Sequence, residues 1–133
     1  MSADPEQLAA LRIVEAIRAA FPAEAAEIDE LLARDGYENA PHTWVERFSQ
    51  FTTDAIKRGE VTTASAHLNL LSRLLAQGND FTLRCIDVAY VESLMWDVED
   101  EKLKKSGWKL VPANLRALYV EMWGERPFMK GVK

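Results

Sequence analysis

Residues 79–103, NDFTLRCIDVAYVESLMWDVEDEKL, form the stretch on which the fold turns, because it reads as the longest helix in the chain and is apolar on nearly every side. At about 100° per residue, Tyr90, Val91, Leu94, Met95 and Val98 fall on one stripe, while Cys85, Ile86, Ala89 and Trp96 fall on roughly the opposite side. Two apolar faces require two sets of neighbours, so this segment is expected to be a buried central helix wrapped by the others. Asn79 or Asp80 can cap its free amides, and Lys104, Lys105 and Gly107 mark its fraying end.

Working outward, Gly78 closes a preceding helix in which Ala64, Leu68, Leu71 and Leu75 form a wide stripe, and the immediate Asn79-Asp80 cap predicts an antiparallel hairpin with the central helix. Before it, Trp44, Val45, Phe48, Phe51, Ala55 and Ile56 trace an aromatic-rich helix over about 42–58. Asp4-Pro5 opens a first helix over roughly 5–20, and Pro22 opens a second that stops at Asp35-Gly36. Beyond the central helix, 106–111 reads as a short linker containing Trp108, Pro112 opens a last helix, and Gly124 stops it. The basic tail 125–133, ERPFMKGVK, is a candidate for disorder. No stretch shows the two-residue alternation of a sheet. The expected fold is therefore all-α: a single domain, residues 1–133, built as a bundle of about six helices around 79–103.

A chain of 133 residues can bury about two-thirds of its unfolded surface and needs neither disulfide nor metal to fold. Cys85 is the single cysteine, which excludes an intrachain disulfide and fits the cytoplasm. The N-terminus lacks the basic start and apolar core of a signal peptide, and no apolar run is long enough to cross a bilayer, so neither export nor membrane insertion is expected. With 21 acidic against 16 basic residues the formal net charge is −5, which argues against nucleic acid and suits a basic protein partner.

Signatures of catalysis are missing. Two histidines, His42 and His67, and one thiol supply no HExxH or CxxC spacing, so no metal or other cofactor is expected, and there is no nucleophile elbow, P-loop or dinucleotide fingerprint. His67 in the leucine stripe and Asp87 in the central stripe would meet if the hairpin brings those faces together. That pairing is either an acid–base arrangement or a buried structural hydrogen bond. Glu92 falls about 140° around the helix from Asp87, which weakens a three-residue hydrolase site.

The acidic run Asp97, Glu99, Asp100 and Glu101, with Trp96 and Trp108 nearby, is the candidate partner-binding surface: carboxylates orient a basic partner and a desolvated aromatic supplies affinity. The bland alternative is a solvated helix end whose charges are compensated by Lys102, Lys104 and Lys105. Trp44 and Trp123 sit at core spacing. Glu24, Glu27 and Glu30 offer a second acidic face.

The segments HLNLLSRLLAQGNDFTLRCIDVAYVESLMWDVE and LVPANLRALYVEMWG, about half the chain, resemble small, acidic, all-helical bacterial proteins of uncharacterised domain families, several of which act as immunity proteins against toxins delivered between competing cells. The resemblance implies a non-enzymatic, cytoplasmic inhibitor that binds a cognate toxin domain and occludes its active site. A helical adaptor with another protein partner is the alternative, and a small hydrolase using His67 and Asp87 is the third.

Overall fold

The computed structural model describes residues 4–132, and they form an all-helical bundle without a strand among them. Helix α1 (Pro5–Ala20) starts where the Asp4 carboxylate accepts the Glu6 amide, with proline at the first turn. Helix α2 (Pro22–Asp35) ends on Gly36, whose φ of 81° is left-handed and costs a residue without Cβ little. Helices α3 (Pro41–Lys57) and α4 (Val61–Gln77) follow. Asn79 then caps α5 (Asp80–Cys85), its side chain accepting from the Phe81 and Thr82 amides while Thr82 bonds back to the Asn79 amide.

The segment expected to be one long helix is broken. From Cys85 the backbone widens without interruption into a π-helical turn, Ile86–Val91, passes through a series of tight turns at 92–97, and re-enters a helix at α6 (Glu101–Leu110). Helix α7 (Ala113–Trp123) and a 3₁₀ turn (Pro127–Met129) complete the chain. The first stripe stays inward despite the break, with Tyr90, Val91, Leu94, Met95 and Val98 all buried, and of the opposite side Cys85, Ile86 and Ala89 are buried whereas Trp96 is exposed. The stripe's spacing continued because successive turns, like a helix, return every third or fourth residue to the same side. Residues 106–111, expected as a linker, lie mostly inside α6, where Gly107 allows a close approach. A Cβ there would lie 2.8 Å from the Met95 sulfur and 2.9 Å from Ile56 Cγ2.

The centre is shared between α3 and the π turn. Helix α3 packs against α1, α2, α4, α6 and the π turn, whereas α5 lies mainly on α1 and only lightly on α4. Phe48 sits within an aromatic cluster, with ring centroids 4.4 Å from His67, 5.8 Å from Phe21 and 6.1 Å from Tyr90. A second cluster anchors the C-terminal end: Trp108, Tyr119 and Phe128 meet edge to face at 5.4–6.2 Å. Residues 125–132, within the tail considered a candidate for disorder, are thereby held to the bundle by the buried Phe128. Lys133, and residues 1–3 at the other end, lie outside the described residues.

Candidate binding site

Residues 92–98 have surrendered the helical ladder, and their polar backbone groups are satisfied instead by short turns and by α3. The π turn closes with the Glu92 amide on the Asp87 carbonyl at 3.0 Å, followed by bonds from Leu94 to Val91, Trp96 to Ser93 and Val98 to Met95. Met95 carries a φ of 60° although it is not glycine, a conformation that costs on the order of 1 kcal/mol and persists only where its surroundings enforce it. Those surroundings are visible. The Thr53 hydroxyl accepts the Met95 amide at 2.9 Å, Ser49 donates to the Tyr90 carbonyl at 2.7 Å, and the Tyr90 phenol donates to Thr52 at 2.9 Å.

Ser49, Thr52 and Thr53 are completely buried and are the site residues that the sequence reading missed. Their signal was present: with Ile56 they occupy i, i+3, i+4 and i+7 on one face of an aromatic-rich helix, and polar groups on an inward face require partners.

At the top of this turn Trp96 is 68 % exposed. Its indole N–H is taken by the Gln50 side-chain oxygen at 2.6 Å, and the Gln50 amide donates in turn to Asp54 at 2.9 Å. With the polar edge bound to α3, an oriented ring is left facing solvent.

The acidic residues beside it divide. Asp97 is half-buried and ion-paired to Lys57, and Asp100 is the N-cap of α6, accepting the Lys102 amide at 2.8 Å. Both are engaged structurally. Glu99 is exposed and makes no ion pair among the described residues, and Glu101 is exposed, 3.9 Å from Lys104. Trp108, expected as a possible anchor in a linker, is instead 3 % exposed in the aromatic cluster, with Arg116 stacked 5.1 Å over its ring. It is a core residue because 101–110 form a helix where a linker was expected, and that helix turns the ring inward. Trp123 departs from expectation in the other direction, being 40 % exposed rather than core. Trp96 and Trp123 line one cleft of about 410 Å³ together with Glu92, Glu101, Lys104 and Arg126. A wider groove of about 990 Å³ runs between α7 and the C-terminal turn.

His67 does not meet Asp87. Its Nδ1 lies 2.9 Å from the Thr52 hydroxyl, and its Nε2 lies 2.6 Å from Glu24 Oε2, at an angle too bent for a good hydrogen bond. The hairpin that would have joined His67 to Asp87 is weak because α5 leaves α4 for α1. Burial lowers the His67 pKa to about 4, and burial followed by the charges of Glu27 and Glu60 raises that of Glu24. Asp87 Oδ1 is buried without a hydrogen-bond partner, and burial, then Glu121 and Glu92, raises its pKa.

Burial also pushes the Cys85 thiol up to about 11, so it is a packing group with little thiolate at neutral pH. No group of three or more His, Cys, Asp or Glu among the described residues is arranged to hold a metal ion. None of the described helices is long and apolar enough to cross a membrane. On the alternative acidic face, Glu24 is turned towards His67 and Glu30 pairs with Arg34 at 3.4 Å.

Residues 14–124 match the family described as a domain of unknown function (DUF7674). No curated protein and no solved structure matches the chain.

Proposed function

This chain belongs to the DUF7674 family, and we propose that it is a non-enzymatic protein-binding domain whose partner docks on the Trp96 turn. The observation that carries the reading is a tryptophan 68 % exposed on a turn that the core holds in a strained backbone conformation. A ring held in place loses little side-chain entropy when a partner covers it, and tryptophan is among the residues that dominate interface energetics. Glu99 and Glu101 beside it suit a basic partner, because carboxylates speed and orient the encounter.

The specific form of this reading is an immunity-type inhibitor that acts in the bacterial cytoplasm, capping the active site of a cognate toxin domain. Small size, net negative charge and the resemblance of residues 67–99 and 110–124 support it. The test is co-expression with the product of the adjacent gene. A toxin encoded there should co-purify with this chain and be silenced by it in a growth assay, and Trp96→Ala should lose both effects. Capture unaffected by Trp96→Ala would move the docking surface elsewhere, and capture of a regulatory complex without growth protection would make the chain an adaptor. Hydrolytic turnover by the purified protein would replace a binding role with an enzymatic one.

A further inference from the structure

We propose that the cleft between Trp96 and Trp123 receives an arginine side chain from a basic segment of the partner. This rests on the reading of the Trp96 turn as a docking surface and assigns the chemistry of what enters it. Two partly exposed indoles line one cleft of about 410 Å³, and indole is the aromatic side chain that attracts a planar cation most strongly. Of the charged groups in that cleft, Lys104 is held 3.9 Å from Glu101 and lies over the Phe128 ring, and Arg126 stands near the Tyr119 phenol. Glu92 makes no ion pair among the described residues.

Asp87 feels both Glu92 and Glu121, neither Asp87 nor Glu121 makes an ion pair among the described residues, and Asp87 Oδ1 is buried with no hydrogen-bond partner. Asp87, which carries the repulsion of both Glu92 and Glu121, gains from a cation brought beside Glu92. A guanidinium fits better than an ammonium, because it stacks on indole and forks onto carboxylate at once.

The experiment uses the full chain, with hexa-arginine, hexa-lysine, hexa-citrulline and hexa-glutamate peptides as probes. The four indole N–H resonances report which tryptophan is touched. Hexa-arginine should shift the Trp96 and Trp123 signals and leave those of the buried Trp44 and Trp108. Hexa-lysine should bind more weakly and hexa-citrulline should not bind. A Glu92→Gln, Glu121→Gln double variant, in which both side chains keep their shape, should weaken hexa-arginine by about tenfold, whereas Glu30→Gln on the far acidic face should not.

Equal affinity in the double variant, shifts away from Trp96 and Trp123, no hexa-arginine binding, or tighter hexa-glutamate binding through Arg126 would each overturn the assignment. The two readings fail separately. If Trp96→Ala abolishes partner capture but the double variant does not weaken it, the docking surface stands and the arginine pocket falls. If Trp96→Ala captures the partner normally, the docking surface itself falls.

Discussion

Helix α3 and residues 86–98 lie face to face at the centre of the molecule, and each pairs its buried backbone groups in a different way. Helix α3 satisfies its own ladder over seventeen residues, which leaves the side chains on its inner face available to others. Residues 86–98 widen into a π turn, tighten into consecutive three-residue turns and place Met95 at positive φ, so their ladder is incomplete. Ser49 and Thr53 fill part of that gap, and Thr52 holds the Tyr90 phenol. An irregular backbone beside a regular one is thus not loose: three hydroxyls fix it, and what it gains is an outward tryptophan that a continuous helix would have placed differently. The contrast is testable by removing the regular side, the shared polar network and the irregular side in turn.

The largest effect belongs to the regular side. Phe48→Ala empties the aromatic cluster that joins the α1–α2 junction, α3, α4 and the π turn, and should cost about 3–5 kcal/mol of unfolding free energy, read by chemical denaturation. A loss below about 1 kcal/mol would mean that Tyr90 and the turns, not α3, organise the centre.

Next is the pH response of the network that α3 shares with α4. The unfolded chain binds a proton at His67 near the ordinary value of 6.5, and the folded chain does so only near 4. Between those values the unfolded state holds more protons, so the contribution is complete above pH 6.5 and is lost as pH falls towards 4, by roughly 2–3 kcal/mol. Glu24 acts in the opposite sense: its raised pKa means the folded state protonates first, which returns part of the loss at the acid end. Denaturation midpoints from pH 7 to pH 4 should therefore fall, and His67→Phe should flatten the slope. An unchanged slope in that variant would place the acid sensitivity elsewhere.

The third effect is smaller and falls on the seam itself. Thr53→Ala removes the acceptor of the buried Met95 amide and should cost about 1–3 kcal/mol. Its more informative signature is local: hydrogen exchange should accelerate at Met95 and its neighbours while α1 and α2 keep their protection. Uniform acceleration would mean that the turn has no stability of its own to lose.

The sequence made the helices legible where caps and periodicity agreed. Asp4-Pro5, Asp35-Gly36 and Asn79 each mark a boundary that the structure keeps, because each supplies a local hydrogen bond or backbone conformation that needs no tertiary help. The break after Val91 was not legible, since buried residues continue at helical spacing through the turns and no proline or glycine announces the change. The start of α6 could have been read: Asp100 followed by Glu101, with Leu103, Gly107, Leu110 and Val111 at i, i+4, i+7 and i+8, is a cap and an inner face. Gly107 reads as an end because glycine usually ends helices, whereas in the structure it admits Met95 and Ile56. The sequence leaves the exposure of Trp96 and Trp108 open, since both stand beside carboxylates; in the structure Trp96 is exposed and Trp108 is buried. Asp97 and Asp100 serve the fold, so charge reversal there would also disturb the Lys57 pair and the α6 cap rather than report on binding alone.

The smallest expected change in stability is also the one that most sharply separates the two regions. Trp96→Ala removes a side chain that is two-thirds in water and one hydrogen bond to Gln50, so the unfolding free energy should move by no more than about 1 kcal/mol. Truncating a central aromatic at an interface typically costs 2 kcal/mol or more of binding free energy, about a thirtyfold loss of affinity. Phe48→Ala at a temperature where the variant remains folded should do the reverse, unfolding more readily while binding nearly as well. If Trp96→Ala instead destabilised the fold as strongly as Phe48→Ala, the indole would be a pin closing the irregular segment, and its exposure would no longer argue for a partner.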